Sequence, residues 1–187
     1  MDKTKNDELY SEIIHFHIPR WNEFPDIDLY LDQISSLLEK YLSLYIKDDI
    51  KNADKNDKKG EKDENDKIIT KAMISNYIKQ KVLDPPVNKK YTKIHIAKLF
   101  VISILKQIYS INDINNLIAL ALKTTSIENA YNEFCDEIEK AIYSTFNQSI
   151  NSEENIDLSK TKYILKNVAQ SFASKLFVEK AYLKLPN

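Results

Sequence analysis

The sequence predicts an all-α fold. Three observations predict it. Glycine is almost absent, with Gly60 the only one in 187 residues, and hairpin-rich sheets need turn residues of that kind. Apolar residues recur at helical spacing through several long windows. Hydroxyl side chains that can cap a helix stand just before such windows, at Thr70, Thr92, Ser110 and Ser126. An apolar fraction of 43% is enough for a packed core, and the length suits one domain, or one domain with an extension.

Residues 1–23 read as an N-terminal arm. Leu9, Ile13, Ile14 and Phe16 can form a short amphipathic helix that ends before Pro19. Residues 21–28, WNEFPDID, read as a loop entering a helix, with Asp26 and Asp28 suited to its cap and first turn. From Ile27, apolar residues fall at 27, 30, 31, 34, 37, 38, 41, 42 and 45, which predicts a helix to about 46. Residues 47–67 then hold seven Lys and eight Asp or Glu. Burial there cannot offset ordering entropy, so a mobile, solvated insertion between two helices is expected.

Thr70 caps a helix over about 70–81. Met73, Ile74, Tyr77 and Ile78 fall on one side, and Lys71, Ala72, Ser75, Asn76, Lys79 and Gln80 on the other. Leu83-Asp84-Pro85-Pro86-Val87 ends it, and a vestigial strand pair around 82–91 is the only sheet structure expected. Thr92 caps a helix over 92–108 that is apolar nearly all round, so it is expected at the centre. Ser110, with Asp113 in the place of a capping-box Glu, starts a helix to about Leu122, with Ile111, Ile114, Leu117, Ile118 and Ala121 inward. Ser126 starts the next, with Ile127, Ala130, Tyr131, Phe134, Ile138, Ala141, Ile142 and Phe146 on one face. Residues 147–159 form a polar connector, and a last helix covers about 160–184. The expected organisation is the arm, a domain over 24–122 that carries the insertion, and a C-terminal helical region over 123–187.

The net charge of −1 gives no global attraction to nucleic acid, so any attraction must be local. Basic residues are nearly all lysine, with Arg20 the single arginine. Cys135 is the only cysteine, which excludes an internal disulfide, and its apolar helical setting predicts a buried thiol. No basic-then-apolar signal opens the chain. The longest apolar run, Ile94 to Ile108, is interrupted and too short for a bilayer. A cytoplasmic protein with no membrane partner is expected.

Charge concentrates in one place. Between Lys67 and Lys98 stand eight Lys and one acid, Asp84, a local charge of +7. Such a concentration is the first footprint of phosphate binding. Lys71, Ser75 and Lys79 are spaced four apart and project together, with Asn76 beside them. Lys and Ser suit phosphate oxygens, and Asn can read adenine in the major groove. Lys89, Lys90 and Tyr91 follow the Pro-Pro turn, where a wing would meet the neighbouring backbone. His95 is expected at the surface or on the phosphate side.

Residues 74–83, ISNYIKQKVL, resemble the recognition helix and following turn of MerR-type regulators, with Tyr77, Val82 and Leu83 matching. Tyr91-Thr92-Lys93-Ile94 and Ser110-Ile111-Asn112-Asp113-Ile114 stand where that family starts its next two helices. Ser75, Asn76 and Lys81 depart from it, replacing an Arg, a Tyr and the turn Gly, and the wing lacks its Gly-containing tip. The chain also resembles the DUF1836 family of uncharacterised bacterial proteins. The similarity lies in Trp21 to Gln33, Thr70 to Lys79 and Pro85 to Tyr91, and covers roughly residues 20–125. The MerR resemblance implies a winged helix-turn-helix with a vestigial wing, followed by C-terminal helices.

The expected function is that of a DNA-binding transcriptional regulator that reads duplex DNA through helix 70–81 as a homodimer. Its C-terminal helices would serve dimerisation or effector response, the effector being unspecified. The alternative is a helical protein-interaction module that kept the fold and lost DNA binding. No enzyme is expected, since no Gly-rich phosphate loop, Ser-His-Asp order or Cys-His pair occurs. No cofactor and no metal are expected: His15 and His17 diverge at i, i+2, and Asp26, Asp28 and Asp32 are explained by capping and solvation.

Overall fold

A computed structural model describes residues 12–46, 67–146 and 160–178. Among them the fold is all-helical, with no strand. A 3-10 turn, Trp21–Glu23, precedes α1 (Leu31–Ile46), α2 (Lys71–Lys79), α3 (Lys93–Leu105), α4 (Ile111–Ala121), α5 (Ile127–Phe146) and α6 (Lys160–Val178). The charged insertion, apart from Lys67, and the polar connector lie outside the described residues. So does most of the N-terminal segment to which a helix was assigned. No described helix is long and apolar enough to cross a membrane. The chain divides into two compact units, Pro19–Ala119 and Met1–Ile18 with Leu120–Asn187.

In the Pro19–Ala119 unit, α3 is the central element. Nine of its 13 residues are buried, as its all-round apolarity requires. Phe100 has no exposed surface; it stacks on Phe24 at 5.9 Å and meets the edge of Tyr41 at 6.2 Å. Helix α1 contributes Ile34, Leu38, Leu42, Tyr45 and Ile46 from one face.

Helix α1 starts at Leu31, four residues later than the periodicity indicates. The reason is a competing pairing. Leu29 exchanges both backbone hydrogen bonds with Tyr91, at 3.0 and 2.8 Å, in an isolated antiparallel bridge. Leu29 is therefore extended, and Ile27 is left 69% exposed. Asp26 does not cap the helix; its Oδ1 accepts from Lys93 Nζ at 2.7 Å. The start is held by Gln33 Oε1, which accepts from the Tyr30 N–H at 2.8 Å.

The Ile68 N–H donates to Glu39 Oε1 of α1 at 2.7 Å. Ile68 and Ile69 are each 2% exposed. Thr70 then caps α2 by accepting from the Met73 N–H at 3.2 Å. At the far end of the unit, Ser110 Oγ accepts from the Asp113 N–H at 3.2 Å and donates to Asp113 Oδ2 at 2.6 Å. Only Ile114 of α4 is buried; Ile111, Leu117, Ile118 and Ala121 are half-buried, so that helix covers the core with a narrower face than its pattern implies.

The other unit is built on α5, whose Tyr131, Phe134, Cys135, Ile138, Ala141, Ile142 and Phe146 are buried at the expected helical spacing. Helix α6 buries Val168, Ala169, Phe172, Ala173 and Leu176. Glu133 pairs with Lys162, Thr145 with Gln170 and Phe146 with Phe177. The partners advance together along both helices, so α5 and α6 run in the same direction. Ile13, Phe16 and Ile18 are buried as well, and the Ile18 N–H donates to Glu139 Oε1 at 2.8 Å.

Candidate nucleic-acid interface

Helix α2 is amphipathic in the sense its sequence predicts. Ile74 and Tyr77 are buried, and Met73 and Ile78 are half-buried. Lys71, Ala72, Ser75, Asn76, Lys79 and Gln80 are all exposed. The Tyr77 hydroxyl is pushed up in pKa by burial, as befits a ring that anchors the helix. Beneath the helix, half-buried Lys106 reaches Met73 Sδ at 3.7 Å, and burial pushes its ammonium down.

The end of α2 is a tight left-handed turn. The Lys81 N–H donates to the Ile78 carbonyl at 2.9 Å and the Val82 N–H to the Tyr77 carbonyl at 3.1 Å. This is the Schellman pattern, with buried Val82 packing under the last turn. Its left-handed position usually takes glycine; here it is Lys81 at φ 59°. A second such turn follows the prolines. Val87 and Lys90 exchange backbone hydrogen bonds at 3.2 and 2.9 Å across Asn88 and Lys89, whose φ angles are 51° and 62°. Two positive φ values in a two-residue loop mark a type I′ turn. The vestigial strand pair of the sequence is thus a single bridge.

Six of the seven residues assigned from sequence are exposed: Lys71, Ser75, Asn76, Lys79, Lys89 and Lys90. The first four share the outer face of α2, while Lys89 and Lys90 stand on the I′ turn. Tyr91 is the exception and is corrected to a core residue. Its ring is 6% exposed because Tyr91 pairs inward with Leu29, and burial pushes its hydroxyl up in pKa. His95 is likewise not at the surface. It is 7% exposed, sits edge-on to Tyr91 at 5.5 Å, and lies 3.2 Å through Nε2 from the Asp84 carbonyl oxygen.

The local excess of lysine is smaller in space than in sequence. Lys98 pairs with Asp84 at 3.0 Å, and Lys93 with Asp26 at 2.7 Å. Those lysines hold the Asp84 and Asp26 carboxyls below the usual carboxylate range. Lys71, Lys79, Lys81 and Lys89 have no acidic partner among the described residues and remain available to an anion. Lys90 Nζ lies 5.4 Å from the centre of the Tyr30 ring. Asp28 precedes α1 and does not share a helix face with Asp32. Among the described residues no group of three His, Cys, Asp or Glu could hold a metal ion.

The sequence profile of DUF1836, a domain of unknown function, matches residues 19–134. The chain belongs to the DUF1836 family. The DUF1836 match takes in the whole Pro19–Ala119 unit and runs on to Phe134 in α5. No curated protein and no solved structure matches the chain.

Within this DUF1836 domain, three residues of the basic surface are not among the site residues expected from sequence. Gln80 binds Asn76 across one helical turn, at 2.9 Å from Nε2 to Oδ1. Lys81 adds a cation at the end of α2, and Tyr30 lies against Lys90. The i, i+4 spacing of Asn76 and Gln80 was the available signal for the first. Nothing local signals the other two, because Lys81 owes its position to a left-handed turn and Tyr30 to the Leu29–Tyr91 pairing, whose members are 62 residues apart.

Proposed function

We propose that this protein binds duplex DNA and acts as a transcriptional regulator. In this reading α1 and α2 are the pair of a MerR-like helix-turn-helix, α2 enters the major groove, and the 87–90 turn is a vestigial wing. The observation that carries it is the outer face of α2. Lys71, Ser75, Asn76 and Lys79 are exposed together, on a helix anchored from below by Ile74 and Tyr77. The two lysines suit phosphate contacts and have no acidic partner among the described residues. Lys89 and Lys90 follow on the I′ turn at the position of a backbone contact. One nine-residue helix supplies little affinity, so the functional form is a homodimer that reads two half-sites, with α5 and α6 as its dimerisation or effector elements.

The test is anisotropy titration of genomic duplex fragments at several salt concentrations. The expected affinity falls steeply with salt, and each of Lys71→Ala and Lys79→Ala lowers the magnitude of the salt slope by about one. Binding that is absent at low salt, or indifferent to both changes, overturns the reading.

A second reading has its own observation. Ile27 and Val87 are each 69% exposed and Tyr30 is 48% exposed, all close in sequence to the Leu29–Tyr91 and Val87–Lys90 bridges. Exposed apolar side chains of that size suit a protein-interaction module that does not bind DNA. Such a module would be unaffected by Lys71→Ala and would lose its partner on Val87→Asp.

A further inference from the structure

We infer that Asn76 and Gln80 work as one adenine reader, with Gln80 as the residue that positions the Asn76 amide. The inference rests on the reading of α2 as a major-groove helix. Gln80 Nε2 donates to Asn76 Oδ1 at 2.9 Å. Both residues are exposed on the face that carries Lys71, Ser75 and Lys79. An isolated exposed amide turns freely; bonded to Gln80 in this sense, the Asn76 amide is held with Oδ1 toward Gln80. Gln80 is itself held, because it is the C-cap of α2 and its N–H donates to the Asn76 carbonyl at 2.9 Å.

The fixed amide has a definite vocabulary. Oδ1 carries two lone pairs, of which Gln80 occupies one. The second lone pair and the Nδ2 hydrogens are left for a base, an acceptor beside a donor. Adenine offers the complement in the major groove, an N6–H donor beside the N7 acceptor. Guanine puts O6 in place of N6–H, so acceptor would face acceptor. Lys71 and Lys79, as phosphate contacts, carry no sequence information. Affinity and base choice therefore reside on different side chains of one face.

The test is selection from a random duplex pool by the full-length protein and by Asn76→Ala and Gln80→Met. Gln80→Met keeps length and removes the donor. Anisotropy titration follows, on the selected duplex and on the same duplex with the chosen A·T pair replaced by G·C. The wild-type protein is expected to select adenine at one fixed position and to bind the replaced duplex roughly 5- to 100-fold more weakly, the range of one bidentate contact. Both variants are expected to bind the two duplexes alike, with the wild-type salt slope and helical content. Duplex binding without an adenine preference, or a preference that survives either change, overturns this inference and leaves the DNA-binding reading standing. An absence of duplex binding by the wild-type protein at low salt overturns both.

Discussion

The backbone N–H of Thr92 donates to Nδ1 of His95 at 3.1 Å, so an imidazole fills the capping-box position that usually belongs to Glu or Gln. An N–H can only donate, which makes Nδ1 the acceptor and puts the ring proton on Nε2. Nε2 then donates to the Asp84 carbonyl at 3.2 Å, tying the start of α3 to the turn after α2. The Thr92 hydroxyl also lies 2.9 Å from Nδ1.

Protonation of His95 would set donor against donor at this cap. Burial, the largest influence, holds the imidazole below its ordinary value of 6.5. The unfolded chain therefore takes up the proton first. Stability from this group is complete above about 6.5 and is lost as pH falls from there toward the lower folded value. Asp26 and Asp84, held low by Lys93 and Lys98, act in a separate window below 3.8. Urea midpoints measured between about pH 8 and 5 should fall for the wild-type protein and stay flatter for His95→Gln, which keeps the capping acceptor. Equal slopes for both would remove His95 as the titrating group.

Lys81 and Lys89 occupy left-handed backbone, at φ 59° and 62°, where a Cβ crowds the chain. Lys81→Gly and Lys89→Gly should each stabilise the fold by roughly 1 kcal/mol, less the extra freedom glycine gives the unfolded chain. Thermal melts monitored by circular dichroism measure it. A lower melting temperature for both would mean that the left-handed assignments do not hold in solution.

These two turns also mark where the sequence stops being informative. Helical faces were legible because each is local: the spacing of Ile74 and Tyr77 against Lys71, Ser75 and Lys79 needs no knowledge of the rest of the chain. The start of α1 was not legible, since Leu29 is drawn out of the helix by Tyr91, 62 residues away. The same pairing turned Tyr91 inward, although a Tyr after two lysines reads as a surface contact. Paired charges were hidden for the same reason. Lys93 counts as a free cation until Asp26 is found beside it, 67 residues upstream. Local patterns thus carried the helix faces, and long-range pairings decided which polar groups remain at the surface.

Ser103 is 1% exposed in the last turn of α3, and its hydroxyl has no hydrogen-bond partner among the described residues. An unpaired buried hydroxyl loses its water without compensation. Ser103→Ala removes it and raises helix propensity. The expected gain is about 1 kcal/mol in urea denaturation. A loss of stability would show that the hydroxyl has a partner in solution, such as a buried water.

Glu39 and Ile68 join the segment that precedes α2 to α1. Ile68 is 2% exposed, and its N–H donates to Glu39 Oε1 at 2.7 Å. The other unit repeats the device, with the Ile18 N–H on Glu139 Oε1 at 2.8 Å. A helix carboxylate in each case satisfies the backbone donor of a buried isoleucine, and so fixes where that segment meets its helix. Glu39→Ala leaves the Ile68 donor unpaired and should cost about 1–3 kcal/mol. Glu39→Gln keeps an oxygen that can accept and should recover most of that loss. Amide hydrogen exchange reads the contact directly: protection at Ile68 should drop in Glu39→Ala and persist in Glu39→Gln. Exchange at Ile68 that is unchanged in Glu39→Ala would show that Ile68 and Ile69 are held by packing alone.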